Sequence, residues 1–296
     1  MSEKNLPEIN FKRVDALINL ALDEDLGHHG DTTTNSVIGE EVNARARFIC
    51  KEDCVCAGLP VAERVFSTLD PGARWETLVA EGEFCPKGTV MAQVEGSARR
   101  LLTGERTALN FLQHLCGIAT VARRYAGAVA GSKCRILDTR KTIPGWRNLE
   151  KYAVAAGGAT NHRIGLYDMI LIKDNHRELA GLEDKNGIAL AVSRARAQYP
   201  GLKVEVEADT LEEVALACDC GADWVMLDNM TNEQMAEAVK IAAGRVKLEA
   251  SGGITLERIP SIAALDVDYI SVGALTHSVK AADISMDIIV SEGDRA

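Results

Sequence analysis

Apolar positions follow two rhythms along the 296 residues. Up to about Gly117 the pattern is mixed. Val14, Leu17, Ile18 and Ala21 recur at the i, i+3, i+4, i+7 spacing of an amphipathic helix. "VNARARFIC" alternates Val42, Ala44, Ala46, Phe48 and Cys50 at period two, as a half-buried strand does. Two more strand-like runs, "RWETLVA" and "TVMAQVEG", flank the turn-rich "EGEFCPKG". From Ser97 a long helical pattern puts Leu101, Leu102, Ala108, Leu109 and Leu112 on one side. This predicts an α+β domain, open-faced and sandwich-like, over residues 1–117, with residues 276–296 packing back on it.

From Arg135 the rhythm changes to short apolar strands alternating with helices. The predicted strands are "RILDT", "MILIKD", "KVEVEAD", "WVMLDN", "KLEASGG" and "YISVGA". Helical segments such as "GIALAVSRARAQYP", "TLEEVALACDCGA" and "NEQMAEAVKIAAG" lie between them. Glu207 to Asp228 and Asp228 to Glu249 are each 21 residues, and Glu249 to Ser271 is 22. A fixed strand–helix period of this length indicates a parallel sheet. No GxGxxG follows the first strand, which weakens a dinucleotide-binding reading. Six strands fall short of the usual eight, so residues 118–275 read as an incomplete or open α/β barrel.

Composition narrows the partners. A formal charge of −10 and 4% aromatic residues argue against a nucleic-acid surface. The N-terminal residues lack a signal-peptide core, and no run is long enough to span a bilayer, so a cytoplasmic enzyme is expected. The eight cysteines contain no CxxC pair and fit neither a zinc site nor a disulfide framework, which predicts reduced thiols. His28-His29 lack a nearby third ligand, and "GDTTT" reads as a capped turn opening at Asp31 or Thr32. His114, on an apolar helical face, reads as a core or interface histidine.

Candidate chemistry collects where the strands end, the face that carries active sites in barrels. Thr139-Arg140-Lys141 follow the first strand and Lys173-Asp174-Asn175-His176 the second. Glu207 ends the third, Asp228-Asn229 the fourth, Ser251-Gly252-Gly253 the fifth, and Gly273 the last. From Asp138 to Arg177 there are seven Lys/Arg against four Asp/Glu, a local excess of positive charge in an acidic chain. Arg140 and the pair His162-Arg163 offer planar forks suited to carboxylate or phosphate. The bland alternative is a solvated basic face. Pro144-Gly145 counts against it, because it implies a loop of one shape. Glu205 and Glu207 share a strand face where apolar residues are usual, so they need partners. Mg²⁺ held by oxygen ligands is one answer, and an ion pair with Lys173 or Arg163 is another. The glycine turns "ASGGIT" and "SVGALTHS" suit a phosphate.

These motifs resemble the quinolinate phosphoribosyltransferase family. The likeness runs through "ALDEDLGHHGDTTT", "LLTGERTALNFLQHLCGIAT", "TRKTIPGWR", "GGATNHRIGLYDMILIKDNH", "VEVEADT", "VMLDN", "EASGGIT" and "ISVGALTHS". It implies a type II phosphoribosyltransferase that converts quinolinate and phosphoribosyl pyrophosphate to nicotinate mononucleotide, pyrophosphate and CO₂ in de novo NAD biosynthesis. It further implies a homodimer with shared active sites, with larger assemblies such as a hexamer in some members. Arg140, His162 and Arg163 would bind the carboxylates of quinolinate, and Arg106 would reach the partner subunit's site. Lys141 and Lys173 would meet phosphate or pyrophosphate oxygens, beside Thr139. Glu207 and Asp228 would hold Mg²⁺ and the ribose region. Ser251, Gly252, Gly253, Val272, Gly273 and Ala274 would hold the 5′-phosphate. The catalytic set is then Glu207, Asp228, Lys141 and Lys173. Rival expectations are a related transferase acting on nicotinate, whose single carboxylate needs less positive charge, and a non-catalytic phosphoribosyl-binding barrel.

Overall fold

The computed structural model describes residues 6–182 and 187–289. In chain order the first stretch holds α1 (Phe11–Leu26), α2 (Thr32–Val37), β1 (Asn43–Cys50), β2 (Cys54–Val55), α3 (Leu59–Leu69), β3 (Arg74–Thr77), β4 (Phe84–Cys85), β5 (Val90–Ser97) and α4 (Ala98–Ala128). Then come β6 (Arg135–Leu137), α5 (Arg147–Gly157), β7 (Ile170–Ile172), α6 (Asp174–Leu179), α7 (Gly187–Gln198), β8 (Val204–Ala208), α8 (Leu211–Asp219) and β9 (Trp224–Asp228). The last are α9 (Asn232–Ala242), β10 (Lys247–Ser251), α10 (Ile259–Ala263), β11 (Tyr269–Ser271), α11 (Ala274–His277) and β12 (Ile284–Ile289).

The described residues fall into two units, one of 6–123, 142–158 and 275–289, the other of 124–141 and 159–274. A boundary at 117/118 lies within the single helix α4, whose first part belongs to one unit and last turns to the other. The first unit carries an antiparallel sheet in the order β12-β1-β5-β3. In β1 the buried residues are Ala46, Phe48 and Cys50; Val42, predicted on the same face, precedes the strand and is exposed. The Phe48 ring meets Phe66 of α3 edge-on at 5.9 Å and Trp75 of β3 at 5.4 Å. On α4, Leu101, Ala108, Leu109 and Leu112 are buried and Leu102 only half so. A Cβ on Gly104 would come within 2.8 Å of Leu69, so glycine lets α4 approach α3 closely. β12 pairs with β1 from Cys50↔Ile284 to Arg45↔Ile289, which brings the end of the chain onto this sheet. The remaining predicted residues of that return, 290–296, lie outside the described residues.

The second unit is the parallel one, with strand order β6-β11-β10-β9-β8-β7. All six predicted strands form, each shortened at its polar end. Thr231 and Gln234 cap α9 reciprocally, and Thr210 caps α8 by accepting the Glu213 N–H, so these two return helices start on a side-chain acceptor. Thr160 bridges to Leu137, adding one more parallel contact outside β6. Three strands separate β6 from β8, which in a flat sheet would set them about 19 Å apart at ~4.8 Å per step. Yet His162, two residues past Thr160, lies 3.2 Å from Glu205 of β8. The sheet is therefore rolled into a barrel, and β6 and β7, at the two ends of the order, leave it incomplete.

Candidate active site

Register decides which side chains enter the barrel. Glu205 pairs with Trp224, Glu207 with Met226, Met226 with Glu249, and Glu249 with Tyr269. In parallel strands laterally paired residues point to the same side, so these side chains share the inward face. All five residues of β8 are buried, and Val204 and Val206 take the outward face against the helices. The inward face thus holds three buried glutamates, and each has a nearby answer.

Glu207, 6% exposed, is ion-paired with Lys173 at the end of β7. This is the bland alternative read from the sequence, and Lys173 rather than Arg163 fills it. One position further along the barrel, Asp228 is half-buried at the end of β9 and accepts 2.6 Å from the Asn229 side chain. Ser251 stands beside Asp228 in the register. Gly252 and Gly253 follow with φ of 89° and 57°, and Asn229 itself has φ 52°. A Cβ at Gly252 would collide with the Asn229 side chain and lie 2.8 Å from its backbone nitrogen. The turn is therefore closed to any larger residue at Gly252. Val272 donates 2.9 Å to Leu137 O, tying the β11 end to β6. Gly273 and Ala274 come next, half-buried. The helices after these turns are short: α10 starts only at Ile259, and α11 has four residues.

On the cationic side, Thr139 Oγ1 accepts the Lys141 N–H at 3.1 Å and bends the chain just after β6. Arg140 and Arg163 carry like charges that bear on each other. Burial first, and then the Arg140 charge, lower the Arg163 guanidinium below its ordinary value. Arg163 is anchored through one nitrogen to Met169 O at 3.1 Å. Beyond Lys141 the expected fixed loop is present in the first unit: Trp146 N donates 3.0 Å to Ile143 O, with Gly145 at φ 86°. That is the type II turn a Pro-Gly pair selects. Arg106 is exposed on α4, in the first unit.

His162 faces inward. Its Nε2 lies 3.2 Å from Glu205 and 3.0 Å from Glu249, both fully buried. Its Nδ1 accepts the Arg163 N–H at 2.8 Å. Burial alone would lower this histidine's pKa, but the two glutamates push it up to about 10. Burial and then Glu249 raise the pKa of Glu205.

Sequence reasoning missed three members of this arrangement. Glu249 entered only as a marker of the repeat, and Glu205 only as a neighbour of Glu207. Asp138, fully buried, accepts from the Asn161 side chain at 2.7 Å and the His162 N–H at 2.8 Å. Charged residues inside strands that should be apolar on both faces were the available signal for all three. His176 serves its own loop, accepting the Lys173 N–H at 2.9 Å. His114 pairs with the fully buried Glu150 at 2.9 Å, within the first unit.

Six parallel strands rolled into an incomplete barrel, with Arg140, the Lys173–Glu207 ion pair and the Gly252-Gly253 turn at their ends, place the chain among α/β-barrel proteins with a polar strand-end face. Comparison with known proteins narrows the class. Residues 31–116 match the N-terminal domain and residues 118–287 the C-terminal domain of the quinolinate phosphoribosyl transferase family. A probable nicotinate-nucleotide pyrophosphorylase [carboxylating] of Bacillus subtilis is 42% identical, with 96% of each chain covered. Quinolinate phosphoribosyltransferase [decarboxylating] 1 of Nicotiana glauca is 40% identical over 92% of this chain and 81% of its own. The solved nicotinate-nucleotide pyrophosphorylase of Francisella tularensis superposes with a TM-score of 0.89 at 39% identity, covering 96% of this chain and 99% of that one. The chain belongs to the quinolinate phosphoribosyltransferase family.

Proposed function

We propose that this protein transfers the phosphoribosyl group of phosphoribosyl pyrophosphate to quinolinate, yielding nicotinate mononucleotide, pyrophosphate and CO₂ for de novo NAD biosynthesis. The observation that carries the reading is the Arg140–Arg163 pair. The Arg140 charge bears on the half-buried Arg163 guanidinium, and a dicarboxylate offers one carboxylate to each fork and neutralises both charges. A monocarboxylate answers only one.

The pyridine nitrogen supplies its lone pair to the anomeric carbon while the bond to pyrophosphate oxygen breaks and takes its electron pair along. Lys141 and Lys173 meet oxygens of the phosphates, and the amides of the Gly252-Gly253 and Val272-Gly273-Ala274 turns cradle the 5′-phosphate, with Ser251 and Thr139 alongside. Glu207 and Asp228 face the ribose, where positive charge builds on the sugar. The ring nitrogen, now cationic, stabilises the electron pair that stays on the adjacent ring carbon when its carboxylate departs as CO₂, and that carbon then takes a proton. The chain's work is positioning and charge placement.

Magnesium belongs to the proposal. Glu207 and Asp228 present oxygen donors from neighbouring strand ends, a set suited to a cation that keeps waters and takes substrate phosphate oxygens. Lys173 must then share Glu207 or move to a phosphate. When bound, the ion supplies neutralisation of charge on the leaving pyrophosphate.

The working assembly in this proposal is a homodimer in which the partner subunit's Arg106 completes each site, with larger assemblies such as a hexamer built from it. A cytoplasmic setting suits its multiply charged substrates; among the described residues no helix is long and apolar enough to cross a membrane. Equilibrium binding of quinolinate tests the carrying observation. Arg140→Ala is expected to weaken it about 30- to 100-fold, the loss of one charge-assisted fork. Unchanged affinity would remove the clamp.

A further inference from the structure

Helix α6 follows directly on β7, and almost nothing apolar holds it. Of its residues Asp174–Leu179 only Arg177 is not exposed, and Leu179 is 89% exposed. A helix this short does not persist in water on its backbone bonds alone. Yet it starts at Lys173, which the proposed reaction needs in one place. Lys173 O accepts the His176 N–H at 3.0 Å and the Arg177 N–H at 3.3 Å, and the Lys173 N–H donates to His176 Nδ1 at 2.9 Å. Whatever fixes α6 therefore fixes the root of that lysine.

The tie is an ion pair. Arg177 Nη1 donates to Glu213 Oε1 of α8 at 2.6 Å, and the two side chains are only 12% and 21% exposed. An exposed pair would contribute little, but this one is mostly out of water and at charge-assisted hydrogen-bond distance. The other carboxylate oxygen of Glu213 accepts the Asp209 N–H at 2.8 Å. Asp209 stands two residues past Glu207, just beyond β8. One carboxylate thus grips the chain on both sides of the Lys173–Glu207 ion pair, after β7 through Arg177 and after β8 through the Asp209 amide. Thr210 accepts the Glu213 N–H at 3.2 Å and so holds Glu213 in the first turn of α8.

Charge points the same way. Burial raises the Asp209 pKa, and the charges of Glu213, Glu207 and Asp174 add to this while Arg177 opposes it. Four carboxylates gather here, and Arg177 and Lys173 are the cations paired with them among the described residues. Removing Arg177 would leave Lys173 to answer the excess negative charge, which would hold it back from a phosphate.

We infer that Arg177 and Glu213 are positioning residues: joined across the ends of β7 and β8, they hold Lys173 where it can pass from Glu207 to a phosphate oxygen, and they touch no substrate themselves. This rests on the proposed role of Lys173 as a ligand of phosphate or pyrophosphate.

Two measurements on the full-length protein test the pair separately from turnover. The first is amide hydrogen exchange without substrate. Arg177→Ala, and Arg177→Met, which keeps bulk and loses charge, should speed exchange at the His176, Arg177 and Asp209 amides about tenfold or more and leave β8 and β9 unchanged. Wild-type exchange at those amides in the Met variant would mean that packing holds α6, and would overturn the inference. The second is equilibrium binding of phosphoribosyl pyrophosphate with Mg²⁺. Arg177→Met and Glu213→Ala should each weaken it about tenfold and leave quinolinate binding unchanged, and Arg177→Lys should recover part of the loss. In a Lys173→Ala background Arg177→Met should add less than about twofold, because its effect passes through that lysine. Multiplying effects, equal losses for both substrates, or a wild type that binds no phosphoribosyl pyrophosphate would overturn the inference. A wild type that turns over no quinolinate yet shows both patterns would contradict the functional reading and leave the positioning pair standing.

Discussion

Glu207 and Lys173 show how one residue pair serves two tasks. As found, the ion pair neutralises a glutamate that the barrel buries, and breaking it would leave a buried charge without its partner. In the proposed reaction the same carboxylate faces the ribosyl carbon, and the lysine turns to phosphate. Glu207→Gln keeps the shape and removes the charge. It is expected to lower kcat on the order of 10²-fold with a smaller effect on either KM, since the charge matters most when the sugar is most cationic. A kcat within about twofold of wild type would take Glu207 out of the site. The residues at the strand ends were legible because charged side chains stood where the first four strands stop and glycine turns where the last two do. The floor residues were less so: Glu205, Glu249 and Asp138 carry no motif, and only the register shows that they surround one histidine.

At the level of elements, period and punctuation carried the reading. The six parallel strands and α7, α8 and α9 were visible as apolar runs at regular spacing. Sequence analysis assigns no element to α3, although Leu59, Ala62, Val65 and Phe66 are all buried along it. Its start is a Gly-Leu-Pro after a two-residue strand, a signal easily taken for loop. It also marks no helix at α5, where Glu150 and Lys151 are buried and break the apolar stripe. The strand pair β2–β4 is too short for any periodicity. Among the turns, the one after β10 makes the firmest demand. Gly252 has φ 89° and no room for a Cβ beside Asn229. Gly252→Ala is therefore expected to raise the phosphoribosyl pyrophosphate KM about tenfold or more, with quinolinate binding measured at equilibrium little changed. An unaltered KM for the phosphorylated substrate would move the phosphate elsewhere.

For the whole molecule, a charge of −10 with Arg140, Lys141, Arg163 and Lys173 near the barrel's strand ends suits an enzyme that draws small anions to one place. The two-part organisation was legible as a change of rhythm, and the return of the chain's end to the first unit was expected, but the sequence pattern does not show that residues 142–158 also group with that unit. Those segments lie far along the chain, and pairing such as β12 with β1 depends on a partner strand more than 230 residues away, beyond any local window. The proposed assembly makes its own prediction. Co-expressed Arg106→Ala and Lys173→Ala subunits, each inactive alone, should recover up to about a quarter of wild-type activity, because half of randomly formed dimers carry one intact site of two. No recovery at any ratio would mean that each chain builds its site alone.

The central claim is a decarboxylating phosphoribosyl transfer to a dicarboxylate. The direct test follows quinolinate labelled in its 2-carboxylate, with phosphoribosyl pyrophosphate and Mg²⁺, and nicotinate as the control acceptor. The account predicts labelled CO₂ and pyrophosphate in equal amounts, nicotinate mononucleotide as product, and no comparable turnover of nicotinate. Preferential use of nicotinate, or pyrophosphate release without CO₂, would contradict it.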